Sequence, residues 1–213
     1  MRISTLHQEK KRDSLAARGF AVPDTVTAGC GKLPPLVIPT DLSDDQKHSE
    51  ARVRSLTAAL GLLPHPEGGF FAEHYRASDG SQTAIYYLLR ADDFSAWHRV
   101  GKDELWHHYE GAPIELHVIN EAEGARPARY ERLVLGSHLD DGIDALPCRV
   151  VAAGAWQAAR PRGAYALVGN TIAPGFDFRD WALADDATIA RLVAAVPDAR
   201  DALRALAPRK PGG

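Results

Sequence analysis

Apolar residues recur in short, turn-bounded runs through the middle of the chain and at helical spacing on either side of them. The runs FFAEHYR, TAIYYLL, ELWHHYEG, IELHVIN, ARYERLVLG, CRVVAAG and AYALVGNTI are rich in Tyr, Phe, Ile and Val, with Gly, Asp, Ser or Pro between them. That pattern predicts strands, and seven of them at such spacing predict a sandwich or a barrel. Upstream, SEARVRSLTAALGL sets Val53, Leu56, Ala59 and Leu60 at helical spacing, with Gly61 as the stop and Pro64 and Pro66 beyond it. Downstream, ATIARLVAAVPDARDALRAL carries Ile189, Leu192, Val193 and Val196. Pro197 ends that helix, and Asp198 stands where it would cap a second. Residues 1–48 are polar, hold Pro23, Pro34, Pro35 and Pro39, and show only a short helical pattern near residues 8–18. They read as an extension, partly disordered or draped over one domain that spans 49–213.

Composition narrows the class. A length of 213 residues suits one domain with a well-buried core. The net charge of -3, with both signs interspersed, leaves no basic stripe for nucleic acid and no polybasic patch for a membrane. The start, MRISTLHQEKKRDSLAARGF, lacks the apolar centre of a secretory signal. No apolar run approaches the ~20 residues that span a bilayer. Cys30 and Cys148 are too few and too far apart for a disulfide framework. The expected setting is cytoplasmic and reduced.

Chemistry concentrates in SAWHRVGKDELWHHYEG, Ser95 to Gly111, which holds two of the four tryptophans and three of the nine histidines. His98 and Glu104 are joined through a short polar turn, Gly101, Lys102 and Asp103. Such a pair can come from two adjacent antiparallel strands, point into one cavity, and there hold a metal or move a proton.

These residues resemble the first motif of the cupin superfamily, G-x5-H-x-H-x3,4-E-x6-G. His98, Glu104 and Gly111 match it, while Val100 stands at the second histidine and the first glycine is unmatched. The second motif is echoed in VVAAGAWQAARP, with Gly154 in place, Ala152 where proline is usual, and Gln157 where histidine is usual. A closer resemblance is to the Cupin 5 subgroup. It rests on LLPHPEGGFF, TAIYYLL, SAWHR, DELWHH, VAAGAWQAA and LVGNTIAPGFDF, six ordered blocks over roughly residues 55–185. The resemblance implies an all-β fold, the cupin double-stranded β-helix or jelly-roll barrel, with flanking N- and C-terminal helices. It also implies a homodimer. It fixes a function far less, because the fold hosts many chemistries.

Strand alternation sorts the candidates. With Glu104 inward, Trp106 and His108 follow it and His107 faces away; the W-H pair of the family favours His107, and a bulge would reconcile the two. In FFAEHYR, Phe71, Glu73 and Tyr75 share one face, and Phe70, Ala72, His74 and Arg76 the other. The stretch GGFFAEHYR is also similar to a segment of the metal-free dTDP-sugar 3,5-epimerases.

Three functions follow. The preferred one is acid–base chemistry by Glu104 with His98 and His107, of isomerase or epimerase type, on a small polar or sugar-like metabolite. No cofactor is required for it. A Glu beside Trp97, Trp106 and Trp156 would have a raised pKa, and a histidine titrates near neutrality. The candidate substrate contacts are Glu73, Tyr75, Arg76, Trp97, Trp106, His108, Tyr109, Trp156, Gln157 and Phe176. The second is a metal-dependent hydrolase, lyase or oxygenase with His98, Glu104 and Gln157 holding Fe, Mn, Ni or Zn. The third is a non-catalytic binder with Trp97, Trp106 and Tyr109 as an aromatic cup. An enzyme is favoured, because a buried acid beside histidines costs stability that packing does not explain. His98 also reads as a core histidine and Glu104 as a partner of Arg99 or Arg76. His65 and Glu67 read as shaping a turn at Gly68 and Gly69. His117 and His138 lack partners at motif spacing. Asp177 reads as a turn cap, and Asn170 replaces the small residue or Cys usual in the family block.

Overall fold

The computed structural model describes residues 43–137 and 144–209. The chain divides into two compact units, residues 1–47 and 48–213. The expectations for a helix near residues 8–18, for Cys30 and for His138 lie outside the described residues.

The first helix, α1, covers Asp44–Leu60, five residues earlier than the apolar spacing predicts. A capping box explains the difference: Gln46 N donates to Ser43 Oγ at 3.3 Å and Ser43 N donates to Gln46 Oε1 at 2.9 Å. The polar first turn hid this start from a reading based on apolar period.

Among the described residues twelve strands follow: β1 (Leu63–Pro64), β2 (Phe70–Arg76), β3 (Thr83–Arg90), β4 (Ser95–Val100), β5 (Glu104–Gly111), β6 (Ile114–Asn120), β7 (Arg129–Leu135), β8 (Ala145–Leu146), β9 (Cys148–Val151), β10 (Trp156–Pro161), β11 (Tyr165–Ile172) and β12 (Trp181–Leu183). They form two six-stranded sheets, in the orders β1-β2-β3-β11-β5-β9 and β12-β4-β10-β6-β7-β8. Pairing between these strands is antiparallel except between β7 and β8. The predicted jelly roll is the observed architecture.

One expectation changes. β4 and β5 are consecutive but do not pair, since each belongs to a different sheet. His98 and Glu104 are therefore not on adjacent antiparallel strands. Each faces the barrel interior from its own side.

The interior is filled by Tyr87, Leu89, Trp106, Ile114, Leu116, Leu135, Ala159, Ala166 and Val168, drawn from both sheets. On the outer face of the first sheet, α1 lays Leu56, with Val53 and Leu60, against Leu88 and Leu167. On the outer face of the second, α2 (Asp186–Ala195) and α3 (Arg200–Ala205) bury Leu192 and Leu203 against Trp97 and Trp156. Each fully buried side chain of this size contributes about 1.5–3 kcal/mol. Asp185 caps α2 by accepting from Thr188 N at 2.8 Å. Asp198 caps nothing: it lies in a 3-10 turn over Pro197–Ala199, and α3 starts from Ala199 without a side-chain cap. Among the described residues no helix is long and apolar enough to cross a membrane.

Candidate functional site

Alternation along β4 sends Trp97 outward to the helices and His98 inward. Gln157 stands directly beside His98 in the next strand of the same sheet. From the opposite sheet, Glu104 and Trp106 lie on the inner face of β5. Gln157 spans the gap, donating from Nε2 to Glu104 Oε2 at 2.5 Å and accepting from Trp106 Nε1 at 3.0 Å. All four are buried.

Glu67, which lies in the expected turn, also belongs to this site. Gly68 and Gly69 have φ of +109° and +64°, and a Cβ on Gly68 would collide with the Phe94 carbonyl oxygen. Only glycine lets this turn lie so close to the barrel edge. The turn thereby drives the Glu67 side chain inward, where it is 8% exposed. Its carboxylate accepts from Ser95 Oγ at 2.8 Å and from Trp181 Nε1 at 2.6 Å. Its Oε2 lies 3.4 Å from His98 Nδ1 and 3.7 Å from His65 Nδ1. A Pro-Glu-Gly-Gly block beside a strand is the only sequence signal for this, and it reads equally as a plain turn.

The hydrogen bonds fix which atoms carry protons. His98 Nδ1 lies 2.8 Å from the Ala96 carbonyl oxygen, which can only accept, so Nδ1 holds the hydrogen. Whenever the ring is neutral, its lone pair is on Nε2. Trp106 Nε1 can only donate, so it faces the oxygen of Gln157 and turns the Gln157 NH2 toward Glu104.

Two buried carboxyls lie near His98, Glu67 at its Nδ1 and Glu104 on the neighbouring Gln157, and their environments pull their pKa values apart. For Glu67, burial pushes the pKa up, but attraction to His98 and His65 in their protonated forms and the Trp181 and Ser95 hydrogen bonds outweigh it, leaving it below the ordinary carboxylate value. For Glu104, burial dominates and the Glu67 charge adds to it. His98 and the Gln157 and Asn170 amides oppose this only in part, so the carboxyl is pushed up to about 7. Asn170 is close enough to favour the ionised Glu104, yet neither of its amide atoms reaches hydrogen-bond geometry with any partner among the described residues.

Other expected contacts scatter. Trp97 donates to the Ala202 carbonyl and Trp156 to Glu121, both under the C-terminal helices and away from Glu104. His107 stacks on Tyr109, and Tyr109 packs edge-on to Tyr86, on the outer face of the first sheet. The preference for an inward His107 is thus reversed, because β5 keeps simple alternation until its register shifts between His108 and Glu110. His108 points inward but sits four residues along from Glu104, about 13 Å at strand rise, with its Nε2 3.1 Å from the Ala112 carbonyl oxygen. Trp97, Trp106 and Tyr109 occupy three different surfaces and form no cup. A register shift after Glu73 leaves Tyr75 half exposed. Glu73, Arg76 and Phe176 do converge: Arg76 pairs with Glu73 at 2.8 Å and donates to the Phe176 carbonyl at 3.2 Å. Glu104 is held by Gln157 rather than by Arg99 or Arg76. His117 is a core residue beside Glu115 and Tyr130. Asp177 does cap a turn, accepting from Arg179 N at 2.8 Å.

The donors fit a metal poorly. Gln157 presents its NH2 to Glu104 and commits its oxygen toward Trp106, and His98 Nδ1 is protonated. Among the described residues, no three His, Cys, Asp or Glu side chains gather as a ligand set. The expected His98, Glu104 and Gln157 triad is one acid and one imidazole with an amide turned the wrong way.

Comparison with known proteins agrees with this architecture. Residues 54–184 match the family model described as Cupin superfamily (DUF985). A hypothetical protein from Leishmania major is 28% identical, with a TM-score of 0.62 over 73% of this chain and 98% of its own. A protein from Shewanella oneidensis is 26% identical, with a TM-score of 0.63 over 73% of this chain and 97% of its own. No curated protein matches the chain.

Proposed function

The chain belongs to the DUF985 family of the cupin superfamily, and from that premise we propose that it is an acid–base enzyme for a small polar metabolite, an isomerase or epimerase acting at a carbon next to a carbonyl. The observation that carries this is two buried carboxyls in unlike environments near His98: Glu67 is 3.4 Å from its Nδ1 and held below the ordinary carboxylate value, and Glu104 is bound by the neighbouring Gln157 and pushed up to about 7. Environments that drive two acids apart in this way mark a division of acid and base roles.

Glu67 is the support. Its negative charge beside Nδ1–H fixes the tautomer and stabilises an imidazolium. His98 Nε2 then takes the proton from the substrate carbon as general base, while protonated Glu104 gives one to the carbonyl oxygen. The resulting enediol gives the proton of its other oxygen to Glu104 and receives a proton at the former carbonyl carbon from His98, so the carbonyl moves by one carbon and the enzyme ends as it began. Gln157, locked by Trp106, holds the Glu104 carboxyl in place.

The test is proton exchange in D2O, followed by 1H NMR, across a panel of hydroxyketones, aldoses and sugar acids. At least one member should acquire deuterium at the carbon next to its carbonyl. Glu104→Gln and His98→Ala should each slow this by about a hundredfold or more. Exchange that survives in Glu104→Gln overturns the reading, as does a ligand that binds and returns without exchange. Activity abolished by chelator and restored by Fe, Mn, Ni or Zn would replace it with a metal-dependent mechanism.

A further inference from the structure

Asn170 is a buried amide that lies close enough to Glu104 to favour its ionised form, yet completes no hydrogen bond in the network described so far. It is 3% exposed. In register it stands between Trp106 of β5 and Ile85 of β3, so it faces the barrel interior among apolar neighbours. Among the described residues, both Nδ2 and Oδ1 lack a hydrogen-bond partner. Buried polar atoms in native proteins are paired by the protein, by water or by a ligand, so an orphan pair aimed at an acidic site is informative. Of the polar groups near it, Trp106 donates to Gln157 and Gln157 donates to Glu104 Oε2, so neither turns to Asn170.

We propose that Asn170 is the ligand-reading residue of this site, and that it selects an α-hydroxycarbonyl group, a hydroxyl on the carbon next to a carbonyl. An amide offers a donor and an acceptor side by side. The complementary ligand presents an acceptor and a donor at the same spacing, with its carbonyl oxygen on Nδ2–H and its hydroxyl donating to Oδ1. Docked so, the carbonyl oxygen lies on the Glu104 side of Asn170, beside the acid that protonates it in the reaction proposed above. Selectivity arises because a ligand lacking either group leaves half of the buried amide unpaired. The inference rests on that functional reading for its chemistry, but not for its binding geometry.

The test uses three molecules of matched size: hydroxyacetone, which has both groups; acetone, which lacks the hydroxyl; and 1,2-propanediol, which lacks the carbonyl. Affinities are measured by NMR titration on the full chain, for wild type, Asn170→Leu and Asn170→Ala, with thermal melting as the control for folding. Wild type should favour hydroxyacetone over each of the other two by about tenfold. Both variants should lose that preference while melting no lower than a few degrees below wild type. Asn170→Leu, which removes an orphan amide at similar volume, should melt at the same temperature or higher. Equal binding of all three by wild type, no binding by any, or a preference that persists in either folded variant overturns the proposal. The outcomes separate from those of the catalytic reading. Hydroxyacetone selectivity that depends on Asn170 without deuterium exchange sinks the acid–base chemistry alone. Exchange that is unaffected in Asn170→Leu sinks the role of Asn170 alone.

Discussion

Replacing Glu104 by Gln should make the protein more stable above neutral pH and leave it nearly unchanged in acid. The carboxyl moves from an ordinary 4.5 to about 7 on folding, with burial as the main cause. The native state therefore holds a proton between these values that the unfolded chain releases. This contribution to stability is fully present below pH 4.5 and is lost as the pH rises through 7. At about 1.4 kcal/mol for each pH unit between the two values, the loss amounts to roughly 3 kcal/mol. The amide of the Glu104→Gln variant would not titrate, and its oxygen can still accept from Gln157, so the variant mimics the protonated acid. Urea unfolding of both proteins from pH 4.5 to 9 isolates the effect, because titrations common to both cancel in the difference. Wild type should fall relative to Glu104→Gln by about 3 kcal/mol and level off above pH 8. With a slope of about 1–3 kcal/mol per molar urea, the midpoints should separate by about 1–3 M. A difference that stays flat across this range, or that favours wild type as pH rises, refutes the raised pKa and the catalytic role built on it.

Gly68→Ala should lose roughly 2–4 kcal/mol in urea unfolding, because its Cβ would collide with the Phe94 carbonyl at a φ that L-residues avoid; a loss below about 1 kcal/mol would show that the turn relaxes freely. Trp106→Phe should cost about 1–3 kcal/mol beyond its small volume change, by stranding the buried Gln157 oxygen, and an unchanged urea midpoint would argue against that hydrogen bond. His117 is held down to about 4, mainly by burial and against the pull of Glu115. Its stabilisation is full above its ordinary 6.5 and lost as pH falls through 4. His117→Gln should therefore flatten the acid limb of the stability curve, and an acid limb that overlays wild type would contradict this. Dialysis against chelator should leave the melting temperature unchanged, since the donors do not suit a metal; a fall of several degrees that added Zn or Fe reverses would overturn that assessment.

The strands were legible because the side-chain period survives in the sequence: β2, β5 and β6 begin and end at the residues where their runs do. His98 and Glu104 were legible as partners through motif spacing. Their placement in opposite sheets was not, because a three-residue polar turn reads as a hairpin until the strands that pair with β4 are known. The outward Trp97 and Trp156 escaped for a related reason. β4 and β10 mix polar and apolar residues on both faces and are buried on both over most of their length, and only the docking of α2 and α3 says which face is roofed. Glu67 does lie in the expected turn; the entry of its carboxylate into the interior is not legible, because it depends on how closely Gly68 approaches Phe94, a contact between residues far apart in the chain. The inward turn of Glu67 and the orphan state of Asn170 are properties of three-dimensional neighbours, and no local pattern encodes them.

The four indoles divide evenly between two environments. Trp106 and Trp181 donate to Gln157 and Glu67 inside the site, whereas Trp97 and Trp156 donate to Ala202 and Glu121 beneath the helices. The barrel thus carries its own optical probes. Protonation of either carboxyl, or arrival of a ligand against Gln157, alters the charge at an indole N–H and with it the fluorescence of that ring. A chain in which Trp97 and Trp156 are replaced by Phe would report on the interior alone, so that occupancy could be followed by light before any substrate is known.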